Sequence, residues 1–131
     1  MKQAIDLQSY FNEWDRGIYT THIIEECWES SPVKVCVTVD LRQVCAELYV
    51  VGRKLAEVCT EWERDEARLT ATIAPGTINV GIWKLEKPVL KFEHNLESNE
   101  GNVKFTAKLF RLTSSGFKKV AEWHDEEIIR W

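Results

Sequence analysis

Long apolar runs, basic clusters and short catalytic motifs are all missing from this sequence of 131 residues. No segment approaches the roughly 18 apolar residues that span a bilayer, and the N-terminus has no apolar signal-peptide core, so we expect a soluble chain without a membrane span. The 17 basic residues are scattered among 21 acidic ones, giving a net charge of −4, which argues against nucleic acid as a partner. With only 6 Gly and 3 Pro, the composition predicts one folded domain over residues 1–131.

Motifs for catalysis or metal binding are equally absent. The sequence has no nucleophile motif, phosphate-binding glycine loop, Ca²⁺ loop or closely spaced pair of histidines. The run His124–Glu127 and the acidic residues Glu25, Glu26 and Glu29 are typical of solvated surfaces. We therefore expect no metal and no cofactor.

Cysteine spacing excludes a zinc knuckle and a redox Cys-x-x-Cys motif. The four cysteines lie close together in the first half of the chain, at Cys27, Cys36, Cys45 and Cys59. Without a signal sequence, we favour free, largely buried thiols and a cytoplasmic location. Two disulfides in the mature chain of a secreted protein are the alternative.

The N-terminal segments mix helical and strand patterns. Residues 3–15 place apolar side chains on one helical stripe and Gly17 follows as a stop, which predicts a short amphipathic helix. Residues 21–29 have helical spacing but a β-branched start, so a strand competes with a helix there. The alternation from Val33 to Val39 predicts a strand with its valines on one face and Cys36 on the other.

The segment 40–69 has two interpretations. As a helix, it begins with Asp40 as N-cap and Gln43 three residues later, and its apolar residues share one face. As strands, residues 46–58 form a hairpin whose turn contains Val51. We favour the helix because Ala, Leu, Glu, Arg and Lys dominate the segment, and because valine resists the positive φ of the tightest turns.

The second half of the chain alternates as β-strands do. Five alternating segments occur at 69–73, 78–82, 90–96, 103–109 and 117–123. The first two flank Pro75–Gly76 and predict a hairpin, after which Pro88 breaks the chain. Because short connections force neighbouring strands to be antiparallel, we expect a five-stranded meander. The apolar tail 126–131 is expected to dock on the domain.

These elements predict an α+β domain, with helices mainly in the N-terminal half packed on a five- to six-stranded antiparallel sheet. An all-β sandwich with a short N-terminal helix is the alternative, reached if residues 45–59 form a hairpin. We expect Trp14, Trp28 and Trp62 in the core.

Two residues are candidates for a ligand site, Trp83 and His94. His94 falls between Phe92 and Leu96 on the apolar face of its strand, where burial would lower the imidazole pKa and leave a neutral general base. A core histidine bonded to the backbone is the alternative. Trp83 lies on the less apolar face of its strand beside Gly81, where a ring or sugar would stack; a core position is the alternative.

The segment Tyr10–Gly17, with the sequence Tyr-Phe-Asn-Glu-Trp-Asp-Arg-Gly, resembles the first helix of nuclear transport factor 2-like domains. In that family helices precede a curved sheet. The resemblance covers only this short segment, and we do not assign the chain to the family from it. It implies a concave cavity for a small molecule, or a dimer face, with His94 among the lining residues.

Three functions follow from these features. A non-catalytic binding or protein-interaction domain is the leading hypothesis, because the chain is acidic and rich in tryptophan and has no catalytic motif. The second is a small isomerase- or cyclase-like cavity enzyme that uses His94 with Glu93 or Asp15. The third is a secreted, disulfide-stapled β-sandwich that binds a sugar or a surface. The expected partners are a protein, a small ligand or sugar, or a second copy in a homodimer.

Overall fold

The computed structural model describes residues 22–131, and these residues form β-strands with no helix among them. The ten strands are β1 (His22–Ser30), β2 (Val33–Asp40), β3 (Gln43–Val50), β4 (Arg53–Glu61), β5 (Glu63–Asp65), β6 (Arg68–Ile73), β7 (Ile78–Val80), β8 (Trp83–Asn95), β9 (Glu100–Thr113) and β10 (Gly116–Arg130). The predicted α+β class is therefore wrong over the described range, and the all-β alternative fits. The helix predicted at 3–15, with Trp14 and Asp15, lies outside the described residues, as does the segment Tyr10–Gly17. Since residues 22–131 contain no helix, they contain none that is long and apolar enough to cross a membrane.

The strands form two antiparallel sheets. A four-stranded sheet has the order β1-β2-β3-β4, and a six-stranded sheet has the order β10-β9-β8-β6-β5, with β7 also paired to β8. One hydrophobic cluster contains side chains of both sheets. Trp28 of the first sheet, for example, lies 5.7 Å from Phe105 and 6.1 Å from Trp123 of the second, measured between ring centroids. The two sheets thus share one core, as in a β-sandwich.

Period-two alternation determines which side chains enter this core. In β2 and β3, every second residue is buried, and the eight buried side chains are Val33, Val35, Val37, Val39, Val44, Ala46, Leu48 and Val50. In β8 and β9 the same alternation buries Phe92, His94, Val103 and Phe105. The predicted strands at 33–39, 90–96 and 103–109 are confirmed, and the competing strand interpretation of the segment 21–29 is correct from His22 onward.

The helix predicted over 40–69 is wrong, because this segment forms the hairpin β3–β4. The carboxylate of Asp40 caps a turn instead of a helix, accepting hydrogen bonds from the backbone N–H groups of Arg42 (2.7 Å) and Gln43 (2.8 Å). At the other end of β3, Val51 does adopt a positive φ of 53°, followed by Gly52 at 72°. The Val51 N–H donates to the carbonyl of Pro32 at 2.8 Å. Burial of alternate side chains of β3 in the core shared by the two sheets outweighs a turn cost of about 1–2 kcal/mol.

Two predicted boundaries in the second half are also wrong. β6 and β7 do not pair with each other; both pair with β8, on the same side of it and in the same direction. The Pro75–Gly76 segment therefore interrupts one edge of the sheet and does not reverse the chain. Pro88 does not end a strand either, since β8 passes through it with a register shift between Glu86 and Val89. A bulge at this point accommodates the missing proline N–H.

Candidate functional site

Four hairpin turns gather at one end of the sandwich. They are the turns at 31–32, 51–52, 81–82 and 114–115. Backbone hydrogen bonds tie neighbouring turns together, since the Val51 N–H bonds to Pro32 and the Leu112 N–H donates to the carbonyl of Ile82 at 2.6 Å. We call the surface formed by residues 29–34, 49–54, 78–85 and 109–119 the hairpin end.

Apolar side chains are exposed at the hairpin end. Within residues 22–131, four of the six most exposed large apolar side chains lie there, with exposed fractions of 62% for Val51, 42% for Ile82, 45% for Leu112 and 41% for Phe117. Leu112 and Phe117 are cross-strand neighbours, and Leu112 is bonded to Ile82 through the backbone. Because single exposed apolar residues are ordinary but contiguous ones mark interaction sites, this surface is the strongest binding candidate of the described chain.

The hairpin end is also strongly basic, although the protein as a whole is acidic. Its four segments contain a single acidic residue, Glu29, against seven basic ones. The seven are Lys34, Arg53, Lys54, Lys84, Arg111, Lys118 and Lys119. Only two of them form ion pairs with carboxylates of the described residues: Lys54 with Glu47 and Glu57, and Lys119 with Glu122. Five cations thus remain without a carboxylate partner in residues 22–131.

Three of these cations lie over aromatic rings. Arg111 is 5.8 Å from the centroid of Trp83, and the Lys84 Nζ is 4.8 Å from Phe110 and 4.7 Å from Phe117. Lys34 lies over Tyr49 in the same way. A ring face attracts a cation without neutralising its charge, and the long stems of lysine and arginine cover apolar surface while the charge stays in water. Positive charge and apolar surface are therefore interleaved.

A shallow cavity of about 350 Å³ lies at the hairpin end, between the β3–β4 turn of one sheet and the β7–β8 turn of the other. It is lined by Val50, Val51, Arg53, Val80, Gly81, Ile82 and Trp83. The candidate Trp83 is half-buried there as the first residue of β8, beside the exposed Ile82. The structure thus places Trp83 within the hairpin end.

His94, the other sequence candidate, lies at the opposite end of the sandwich. Its side chain is fully buried, and its Nδ1 accepts a hydrogen bond of 3.0 Å from the indole Nε1 of Trp131. The rings of His94 and Trp131 are stacked with centroids 6.1 Å apart, and the centroid of the Trp62 ring lies 6.4 Å from that of His94. Because Nδ1 is an acceptor, the neutral ring carries its proton on Nε2, which has no hydrogen-bond partner among the described residues.

The environment of His94 favours the neutral imidazole. Burial lowers the pKa of His94 below its ordinary value, and a side-chain interaction with Asn99 opposes this shift only in part. Protonation at Nδ1 would also set two donors against each other, the imidazolium N–H and the Trp131 indole N–H. The charged form is therefore destabilised in the folded state.

This arrangement predicts a pH-dependent stability. Since the folded-state pKa of His94 lies below the unfolded value of about 6.5, the unfolded chain binds the proton first as the pH falls. We expect the His94 contribution to be fully present above that value and to be lost as the pH falls through it, by at most about 1.4 kcal/mol per pH unit for one proton. Urea unfolding at several pH values measures this slope. A His94→Gln variant should lack this contribution, and an equal slope in both proteins would contradict the prediction.

The carboxylates proposed as partners of His94 are not placed beside it. Glu93 is adjacent in β8 and therefore lies on the opposite face of the strand, where its Oε2 pairs with the Arg68 Nη1 at 2.5 Å. Asp15 lies outside the described residues. Trp83 and His94 are likewise at opposite ends of the sandwich, so they do not form one site.

A larger cavity of about 540 Å³ lies near the end of the sandwich that carries Trp131. Its lining residues are mainly polar: Arg68, Glu93, Asn95, Ser98, Glu100, Gly101, Asn102, Glu127, Arg130 and Trp131. Both of its arginines are neutralised, Arg68 by Glu93 and Arg130 by Glu127 at 2.8 Å. Neither arginine of this cavity is therefore an unpaired cation like those of the hairpin end, and no exposed large apolar side chain of residues 22–131 lines it.

The four cysteines form two disulfides, so the interpretation as free thiols is wrong. Cys27 pairs with Cys36 across β1 and β2, and Cys45 pairs with Cys59 across β3 and β4. Each pair occupies directly opposite positions in its ladder, with Cα atoms 4.0 Å apart. The alternation that buries the valines places both disulfides on the outer face of the four-stranded sheet. Disulfides of this kind are typical of secreted or extracellular proteins, which overturns the cytoplasmic expectation.

Metal ligands do not converge in the described part of the chain. Within residues 22–131, no three His, Cys, Asp or Glu side chains come together in a metal-binding arrangement. His124 and Glu127 are exposed on β10, and Glu25, Glu26 and Glu29 are exposed on the edge strand β1.

Sequence reasoning missed the hairpin end because its residues come from four separate turns. The basic residues are scattered along the chain and become neighbours only when the turns meet. One signal was available: Val51 and Ile82 each lie next to a glycine in a tight turn, where polar residues are usual. No family, curated protein or solved structure was found to match this chain, so the proposals below rest on its own residues.

Proposed function

We propose that the domain is a non-catalytic, disulfide-stapled binding module that attaches to an anionic surface through the hairpin end. The observation that carries this proposal is the concentration of seven basic residues against one acidic residue in a chain of net charge −4. The two disulfides support a function in an oxidising compartment, as in the third hypothesis from the sequence.

The charge distribution supports both binding and orientation. A lysine or arginine near an anionic surface contributes about 1 kcal/mol, so the five cations without carboxylate partners supply roughly 5 kcal/mol at low salt. The rest of the chain is acidic and is repelled by the same surface. The domain would therefore approach with the hairpin end first, and its binding would weaken as salt screens the charges.

Retention on heparin-agarose at pH 7.4 tests this proposal with a simple polyanion. We expect the protein to bind at low salt despite its net negative charge and to elute as salt rises. Removing three charges from the hairpin end should abolish retention; the variant is Arg53→Gln/Arg111→Gln/Lys118→Gln. A matched control removes three charges elsewhere, with the same net charge; it is Arg64→Gln/Lys91→Gln/Lys104→Gln. Absence of retention, or equal loss in both variants, would refute the proposal.

A further inference from the structure

We infer that the anionic surface is a lipid bilayer, and that the exposed apolar side chains of the hairpin end enter its interfacial region. This inference rests on the proposed function, because the same basic residues bring the hairpin end to the membrane. It adds the chemical class of the partner and assigns a role to Val51, Ile82, Leu112 and Phe117.

Val51 and Ile82 lie in tight turns, and Leu112 and Phe117 lie at the strand ends that flank the turn at 114–115. Val51 is the most exposed of them, and it occupies a positive-φ position where Asn or Gly would be more stable. The folded domain gains little burial from this side chain. Val51 is therefore exposed despite an unfavourable backbone conformation. Burial of its side chain in the apolar part of a bilayer would account for this arrangement.

Basic residues lie beside these apolar side chains. Lys84 and Arg111 rest over the rings of Phe117 and Trp83, so their charges are adjacent to the apolar tips. Lysine and arginine next to a membrane extend their charges to phosphates, while their stems remain on apolar surface. Tryptophan is enriched at the same depth, because its ring is apolar and its N–H is polar.

A soluble polyanion does not account for this combination. A sulfated glycan or a nucleic acid backbone would bind the cations but would leave Val51, Ile82 and Leu112 in water. Nucleic acid recognition also uses open aromatic faces for stacking, whereas the Trp83 ring is half-buried with Arg111 near it. A bilayer with anionic headgroups complements both components of the surface.

Sedimentation with lipid vesicles tests the inference on the whole protein. The vesicles contain phosphatidylcholine alone, or phosphatidylcholine and phosphatidylserine in a two-to-one ratio. We expect binding to the mixed vesicles only. The triple variant Arg53→Gln/Arg111→Gln/Lys118→Gln should lose roughly a hundredfold in affinity.

Apolar variants distinguish insertion from electrostatic attachment. Ile82→Ser/Leu112→Ser keeps every charge and should lose about tenfold in affinity for the mixed vesicles, while its heparin retention stays unchanged. Leu41→Ser is the matched control, because Leu41 is 40% exposed on a turn at the opposite end. Its vesicle affinity should equal that of the wild type. Far-UV circular dichroism confirms that each variant is folded.

Depth of insertion is read from quenching of tryptophan fluorescence by brominated phosphatidylcholine in the mixed vesicles. We expect quenching in the wild type and a clear reduction of it in Trp83→Phe. If heparin and mixed vesicles bind but the apolar variant keeps its affinity and quenching is absent, the inference fails and the proposed function survives. If neither heparin nor vesicles bind, both fail, and the apolar tips belong to a protein interface.

Discussion

Replacing all four cysteines is expected to lower the free energy of unfolding by about 5 kcal/mol, since each disulfide contributes about 2–4 kcal/mol. The disulfides close segments with sequence separations of 9 residues for Cys27–Cys36 and 14 residues for Cys45–Cys59. Threonine is the replacement of choice, because it suits partly exposed strand positions. An effect of this size is comparable to the whole stability of many small domains, so the variant should be marginally folded.

Denaturant unfolding of the wild type, the two single-bridge variants and the fourfold variant measures these contributions. Breaking Cys27–Cys36 should release β1 in particular, because this edge strand pairs only with β2 within its sheet. A thiol titration of the unfolded, non-reduced protein is the control. It should detect no free thiol before reduction and four afterwards. Four reactive thiols before reduction would contradict both disulfides, and an unchanged stability without them would contradict their structural role.

The error over residues 40–69 shows why local patterns were ambiguous there. An Asp followed three residues later by Gln is typical of a helix N-cap, but the same carboxylate also closes a turn, as Asp40 does. Ala46 and Leu48 fit a helical face and also a strand face, because both patterns coincide over short stretches. Pairing with β2 favours the strand over the helix, because the buried valines of β2 lie beside the buried residues of β3. Such pairing between strands is not visible in a single segment.

Strict alternation of apolar and polar residues was sufficient to predict a strand where one face is clearly apolar and the other clearly polar. Val33 to Val39 and Val103 to Leu109 are strands as predicted, and the buried position of His94 followed from the same period. The pairing of the cysteines could not be predicted in the same way. It depends on the register that sets Cys45 opposite Cys59, and this register appears only when the hairpin is recognised. The hairpin end required still more, namely the arrangement of four turns in space.

A second large loss of stability is expected for Gly101→Ala. Gly101 lies opposite His94 in the β8–β9 ladder, and its backbone N–H and C=O each form a 3.0 Å hydrogen bond with Trp131. A Cβ at this position would overlap the Trp131 indole and the carbonyl oxygen of Glu93. The indole is able to move, but Glu93 belongs to a strand held between β6 and β9. We expect the free energy of unfolding to fall by about 2–4 kcal/mol, because the added methyl group overpacks the site and because displacement of the indole breaks the hydrogen bond from Trp131 to His94.

Gly116→Ala is the control for this substitution. A Cβ on Gly116 would meet no atom within 4 Å, but its φ of 106° favours glycine, so only a backbone cost of about 1 kcal/mol is expected. The variant Trp131→Ala separates the two contacts of Gly101. If the indole causes the clash, Gly101→Ala should cost little more in the Trp131→Ala background; if the Glu93 carbonyl causes it, the two losses should add. A Gly101→Ala protein as stable as the wild type would show that Trp131 does not pack on Gly101, and would remove the aromatic cover of His94 on which the expected pH dependence rests.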